Sequence, residues 1–199
     1  MTYRILVIAM LSLLTGCAFT VRDVNVDYHY EKPVSANYTG ITLSIGEIKD
    51  LRNMPNPRIF QSSQNGYGQT TTGGLQAEKN LSEIVRSALE DGLGDAHATL
   101  AESNFELTGE LVDFNISYVT GVWESKQLGR MTVKLQVRNK ATGEIIWKDT
   151  IIGNGSTGEW WEQGKILRLT LDDLVSRFLD DGYFKQQISK NFKRTQSPI

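Results

Sequence analysis

MTVKLQVRNKATGEIIWKDTIIGNG, residues 131–155, decides the fold. Met131, Val133, Leu135 and Val137 alternate with polar residues, the period-two pattern of a half-buried strand. Asn139 to Gly143 (NKATG) is a polar turn ending in glycine. Glu144 to Ile152 then resumes strand character, with Ile146 and Ile152 on one parity and Ile145, Trp147 and Ile151 on the other. Upstream, Phe105, Leu107, Gly109 and Leu111 share one face, whereas Val112, Phe114, Ile116 and Tyr118 share the opposite parity. A phase change within a strand implies a β-bulge near Leu111 to Asp113. Together these segments predict a three-stranded antiparallel meander.

Helical periodicity flanks the meander. Asn80-Leu-Ser-Glu83 reads as an N-cap with a glutamate at the third position, and Leu81, Ile84, Val85, Ala88 and Leu89 follow the 3.6-residue repeat. Gly92 and Gly94 are expected to end that helix. Leu167, Leu171, Leu174, Val175 and Phe178 predict a second helix, and Phe184, Ile188 and Phe192 a shorter third one beyond Asp181-Gly182. Ile41, Leu43 and Ile45 mark a first core strand, and residues 52–74, punctuated by prolines and glycines, read as a long loop. The expected fold is α+β, a mostly antiparallel sheet with helices packed on one face, in the order β-α-β-β-β-α. One domain over residues 41–193 and a polar tail over 194–199 complete the division.

The N-terminal residues carry a different signal. Arg4 precedes Ile5 to Leu14 (ILVIAMLSLL), apolar apart from Ser12. As a helix this stretch is about 15 Å long, half of a bilayer core, and has the size of a signal-peptide hydrophobic region. Leu14-Thr15-Gly16-Cys17 follows, and Cys17 is the single cysteine of the 199 residues. These four positions resemble the bacterial lipobox. The resemblance implies a signal peptide over residues 1–16, cleavage before Cys17, a diacylglyceryl thioether on its sulfur and a fatty acyl chain such as palmitate on the new amine. An ordinary secretory leader followed by a chance cysteine is the plainer alternative. Ala18 and Phe19, rather than aspartate, come next, which by the same resemblance favours the outer membrane, facing the periplasm. Residues 17–40 are expected to be the lipidated cysteine followed by a tether or arm. Within it Val24, Val26, Tyr28 and Tyr30 alternate with polar residues as an edge strand would.

A net charge of −2 gives no basic footprint for nucleic acid. The apolar run at 5–14 is the longest, so the lipid is the expected membrane attachment. A single cysteine leaves no cysteine-rich zinc site and no internal disulfide. The two histidines, His29 and His97, lack metal-ligand spacing and read as solvated surface residues, so no metal or cofactor is expected.

Gly153-Asn-Gly-Ser-Thr-Gly158 matches G-x-G-x-x-G letter for letter, but the helix does not begin inside it and no strand follows that helix. Small residues where two backbones approach closely are the alternative. Ser156 lacks the first glycine of G-x-S-x-G. The pair Asp172-Asp173 suits the first turn of a helix better than a catalytic dyad. Trp160 and Trp161, with Trp123, are the candidate partner contacts, because adjacent strand residues point to opposite faces. One of the pair packing into the core and the other capping the sheet edge is the structural alternative; Trp147 completes the tryptophans.

The order of elements resembles the YajG-like family of bacterial lipoproteins. The likeness is carried by the lipobox, "GITLSI", "NLSEIVRSALEDGL", "FELTGELVDFNISY", "MTVKLQVRNKATGEIIWKDTIIGNG" and "ILRLTLDDLVSRFLDDGYFKQQI". It implies a periplasmic α+β domain on an outer-membrane anchor and transfers no catalytic residues. The expected function is that of a lipid-anchored envelope lipoprotein, non-enzymatic, with a binding or support role and an envelope protein as partner. The alternative is an auxiliary lipoprotein of an envelope transport or assembly machine handling lipid or polysaccharide, with an acyl-wide groove between helix and sheet. A hydrolase with an unrecognised polar pocket is the third reading.

Overall fold

The structure is a computed structural model and describes residues 20–64, 70–121, 124–159 and 161–196. In chain order the elements are β1 (Val21–Val24), β2 (Thr42–Asp50), β3 (Ile59–Gln64), β4 (Thr70–Ala77), α1 (Leu81–Asp95), β5 (Thr99–Leu100), β6 (Phe105–Thr120), β7 (Ser125–Asn139), β8 (Ile145–Thr157), α2 (Lys165–Leu179) and α3 (Gly182–Gln196).

The meander is present. β6 pairs antiparallel with β7, β7 with β8, and the β6 register shifts between Leu111 and Asp113, where the phase change placed a bulge. β2 joins the other edge of β6 and β5 joins β2, both in parallel, giving the order β5-β2-β6-β7-β8. A second sheet, β1-β4-β3, contains one parallel and one antiparallel pair. The fold class is α+β, but the sheets are mixed rather than mostly antiparallel. The reason is connection length: β3, β4 and α1 all lie between β2 and β6, a crossover long enough to return the chain in the same direction.

The segment read as a loop, residues 52–74, holds β3 and the start of β4. Its glutamine, serine, threonine and glycine content gave no hydrophobic alternation to read. Arg52 shapes its first turn from a side chain only 4 % exposed. Its Nε and Nη2 donate to Asp50 at 2.9 and 2.6 Å, while Nη1 and Nη2 donate to the carbonyls of Ile59 and Pro57, both at 2.9 Å.

The helices cover one face of the larger sheet. Leu81, Ile84, Val85, Ala88, Leu89 and Leu93 of α1, and Leu167, Leu171, Leu174, Val175 and Phe178 of α2, meet Leu107, Leu111, Met131, Val133, Leu135 and Val137 in one core. Asn80 occupies the N-cap of α1, but its side chain donates to the Glu83 carboxylate at 2.9 Å instead of capping the backbone. The glycines expected to end α1 lie inside it. A Cβ on Gly92 would stand 2.4 Å from Val175 Cγ1, so the residue marks the crossing with α2.

Asp172 and Asp173 stand in the middle of α2, not its first turn, because the helix already begins at Lys165 behind Gly164, whose φ is +89°. Asp173 accepts from the Asn154 backbone N at 2.8 Å and from Arg177 Nε at 2.7 Å. Asp181 starts α3, accepting from the backbone N of Tyr183 and Phe184 at 2.8 and 3.1 Å, and also holds Trp147 Nε1 at 3.0 Å. Trp147 itself is core, with its ring 4.9 Å from that of Phe184 and 5.9 Å from that of Phe178.

Candidate functional site

The described chain enters the fold at Thr20, and from there its path is fixed. Val21 to Val24 run parallel to Gly74 to Ala77. Glu78 Oε2 accepts from the Val26 backbone N at 2.9 Å. Val24, Val26, Tyr28 and Tyr30 are all buried, and the residues between them are exposed. This arm lies along α2. Tyr28 Oη donates to Asp172 Oδ1 at 3.0 Å, Tyr30 Oη and Ser176 Oγ are 2.9 Å apart, and Tyr38 Oη donates to the Leu179 carbonyl at 2.9 Å. Burial pushes the Tyr28 and Tyr38 hydroxyls far above the ordinary tyrosine range, with the Asp172 charge adding to the effect on Tyr28. Burial also raises Asp172, against the opposing influence of the Tyr28 hydrogen bond.

At the entry point lies a cleft of about 320 Å³ lined by Thr20, Arg22, Tyr118, Gln127, Trp161 and Ile166, among others. Trp161 is 66 % exposed and Tyr118 58 %. Gln61 donates to the Tyr118 hydroxyl, tying the small sheet to the tip of the β6–β7 hairpin, and Gln127 Nε2 lies 3.4 Å from the same oxygen. Val119 and Leu128, on the other face of that hairpin, are also exposed. Around Trp161 the charges are matched. Lys165 holds Glu159 and Glu162, Arg168 holds Glu162, and Lys126 lies 2.9 Å from Glu124. The hydrogen bond from Lys165 lowers the Glu162 carboxyl, and the bond to Glu159 raises the Lys165 amine.

Of the residues singled out in the sequence, Trp161 is placed on this exposed end. Cys17, Trp123 and Trp160 lie outside the described residues. Tyr118 and Gln127 gave no separate signal: each continues the alternation of its strand, and only the hairpin's length carries them past the helical layer.

The G-x-G-x-x-G match resolves as packing. A Cβ on Gly153 would sit 2.4 Å from the Thr170 carbonyl oxygen, and one on Gly155 2.5 Å from Thr170 Oγ1. The backbone of α2 therefore occupies the space that a phosphate would need. A Cβ on Gly129 would stand 2.3 Å from Thr170 Oγ1, so the layer between helix and sheet is closed by close approach. The opposite face of the sheet is an open groove of about 570 Å³ lined by charges of both signs, among them Glu47, Glu110, Lys134, Arg138 and Lys148. His29 is exposed near Asp91, 3.4 Å away, and His97 is exposed with φ +64°. Among the described residues no cluster of three or more histidines and carboxylates could hold a metal ion, and no helix is long and apolar enough to cross a membrane.

The fold resembles that of XCC0632 from Xanthomonas campestris, a protein of the DUF330 family. The two superpose with a TM-score of 0.61 at 11% identity over 85% of this chain and 99% of that one. Looser matches include a minor lipoprotein from Acinetobacter baumannii, with a TM-score of 0.39 and 14% identity over 75% of this chain and 91% of that one. The PelC dodecamer from Paraburkholderia phytofirmans gives a TM-score of 0.41 and 16% identity over 74% of this chain and 92% of that one. No family profile and no curated protein matches the sequence. The YajG-like resemblance therefore rests on the sequence elements alone.

Proposed function

We propose that this chain is a lipid-anchored protein of the outer membrane, facing the periplasm, whose α+β domain acts without catalysis by binding or supporting another envelope component. The signal peptide ends at Gly16, and the acylated Cys17 is the anchor. The observation that carries the reading is a juxtaposition. The Leu14-Thr15-Gly16-Cys17 box ends three residues before Thr20, and Thr20 lines the cleft that also displays Trp161. Confinement to one membrane raises the effective concentration of any partner held there, so a modest contact surface suffices. Trp161 is the described member of that surface; Trp160 and Trp123 are its other candidates from the sequence. The auxiliary transport role keeps its place as the alternative, but the closed layer between α2 and the sheet gives it no support.

Cell fractionation of wild type and Cys17→Ser tests the anchor. The account expects the wild type with outer-membrane vesicles and the serine variant in the soluble periplasmic fraction; identical distributions overturn it. Photo-crosslinkers at 161 and at 148 in intact cells then report which component meets the aromatic end and which meets the open sheet face.

A further inference from the structure

We infer that the aromatic end of the domain is seated in the headgroup layer of the leaflet that holds the acyl chains, with Trp161, Tyr118, Val119 and Leu128 as its contacts. This names the partner of the surface proposed above and rests on the acylation of Cys17.

Reach sets the position of this end. Cys17 and Thr20 are three Cα–Cα steps apart, and an extended chain spans at most about 10–11 Å over that distance. Thr20 has no slack of its own: its carbonyl accepts from the Gly74 backbone N at 3.4 Å, and the next residue is already in register with Gly74. The headgroup layer is about 5–8 Å thick on each side of the hydrocarbon. An acylated Cys17 therefore holds Thr20 within a few ångströms of the headgroups or inside them. Trp161 lines the same cleft as Thr20 and comes with it.

The chemistry of the end suits that position. Tryptophan and tyrosine combine an apolar ring with a polar group and gather at membrane interfaces. Val119 and Leu128 add exposed aliphatic surface from the other face of the hairpin. Lys165, Arg168 and Lys126 neutralise Glu159, Glu162 and Glu124, and exposed Arg22 sets a guanidinium beside anionic lipid. The opposite end of the domain also exposes an aliphatic residue, Ile145, paired with Arg138 and so level with Glu106. Along β6 that level is about 40 Å from Tyr118 at about 3.3 Å per residue, well outside the headgroups.

The chain's single cysteine is the acylated one, so Trp161→Cys, Val119→Cys and Ile145→Cys each offer one free thiol to a fluorescent probe. Each lipidated variant is reconstituted into vesicles of phosphatidylethanolamine and phosphatidylglycerol, with and without a doxyl-labelled lipid, and floated. The expected result is flotation of all three, with probes at 161 and 119 quenched severalfold more than the probe at 145. Flotation with equal quenching at the three positions overturns the seating and leaves the anchor intact. Failure to float overturns the anchor and the seating together. A 161–161 disulfide between copies without quenching assigns the surface to a second copy and also overturns the seating.

Discussion

Gly94 and Gly92 sit two residues apart in α1, and the same substitution should act on them with opposite sign. Nothing lies within 4 Å of a Cβ built on Gly94. Gly94→Ala should therefore stabilise the fold by about 0.5–1 kcal/mol through lost freedom of the unfolded chain. A Cβ on Gly92 meets Val175 Cγ1 at 2.4 Å, and one on Gly153 meets the Thr170 carbonyl oxygen at 2.4 Å. Gly92→Ala and Gly153→Ala should each cost about 1–3 kcal/mol by overpacking, read from urea midpoints. Asp172 supplies a pH-dependent case. Burial raises its carboxyl, so the folded state holds that proton more tightly than the unfolded chain does. Its contribution is full below the ordinary carboxylate range and is lost as pH rises through the folded value. Asp172→Asn keeps an acceptor for Tyr28 and removes the charge. Relative to wild type it should gain stability as pH rises through the carboxylate range, by less than about 1 kcal/mol because the group is half exposed. A variant that loses ground over that range contradicts the sign. These glycines show where sequence reading stops. Their presence signalled close approach, but whether the neighbour was solvent, a phosphate or a helix backbone was set by α2, a contact remote in sequence.

The meander, its bulge and the helices could be read because each has one face in the core and one in water, so periodicity reports burial directly; α3, expected to be shorter, matches α1 and α2 at 15 residues. β3 and β4 could not be read. They are short of aliphatic residues, and their pairing with each other and with β1 satisfies the backbone without an alternating pattern. Arg52 is the element-level device that the sequence hid, since a buried arginine looks like any other charged loop residue. Arg52→Ala removes the donors to Asp50 and to the Ile59 and Pro57 carbonyls. It should cost about 3–5 kcal/mol, the range for leaving one partner of a buried ion pair alone, and chemical denaturation measures it. The arm makes a second element-level test. Its alternation was visible, but its partner α2 lies about 145 residues downstream, beyond any local pattern. Amides that bond within the fold, such as Val26 N to Glu78 and Tyr38 N to the Ala96 carbonyl, should exchange as slowly as those of α1. Fast exchange there would mean that the arm is a loose tether.

For the molecule as a whole, the fixed arm would turn the proposed lipid modification into an orientation. A protein with a long flexible spacer could face its membrane from any side. Here the chain is stitched down from Thr20 onward, and the exposed aromatic end lies beside that residue. The proposed address rests on a local four-residue signal, whereas the exposed end of the domain was legible only in part. Trp161 stood out as one of a tryptophan pair, but Tyr118, Val119 and Leu128 become neighbours of the entry point only once the strands are paired. All of this depends on the chemistry of one sulfur. Mass spectrometry of the tryptic peptide Cys17–Arg22 from membrane-purified protein tests it most directly. The account predicts a peptide that begins at Cys17 and carries a diacylglyceryl thioether together with an acyl chain on its amine. A peptide with an unmodified thiol, or a chain that still continues upstream of Cys17, would contradict it.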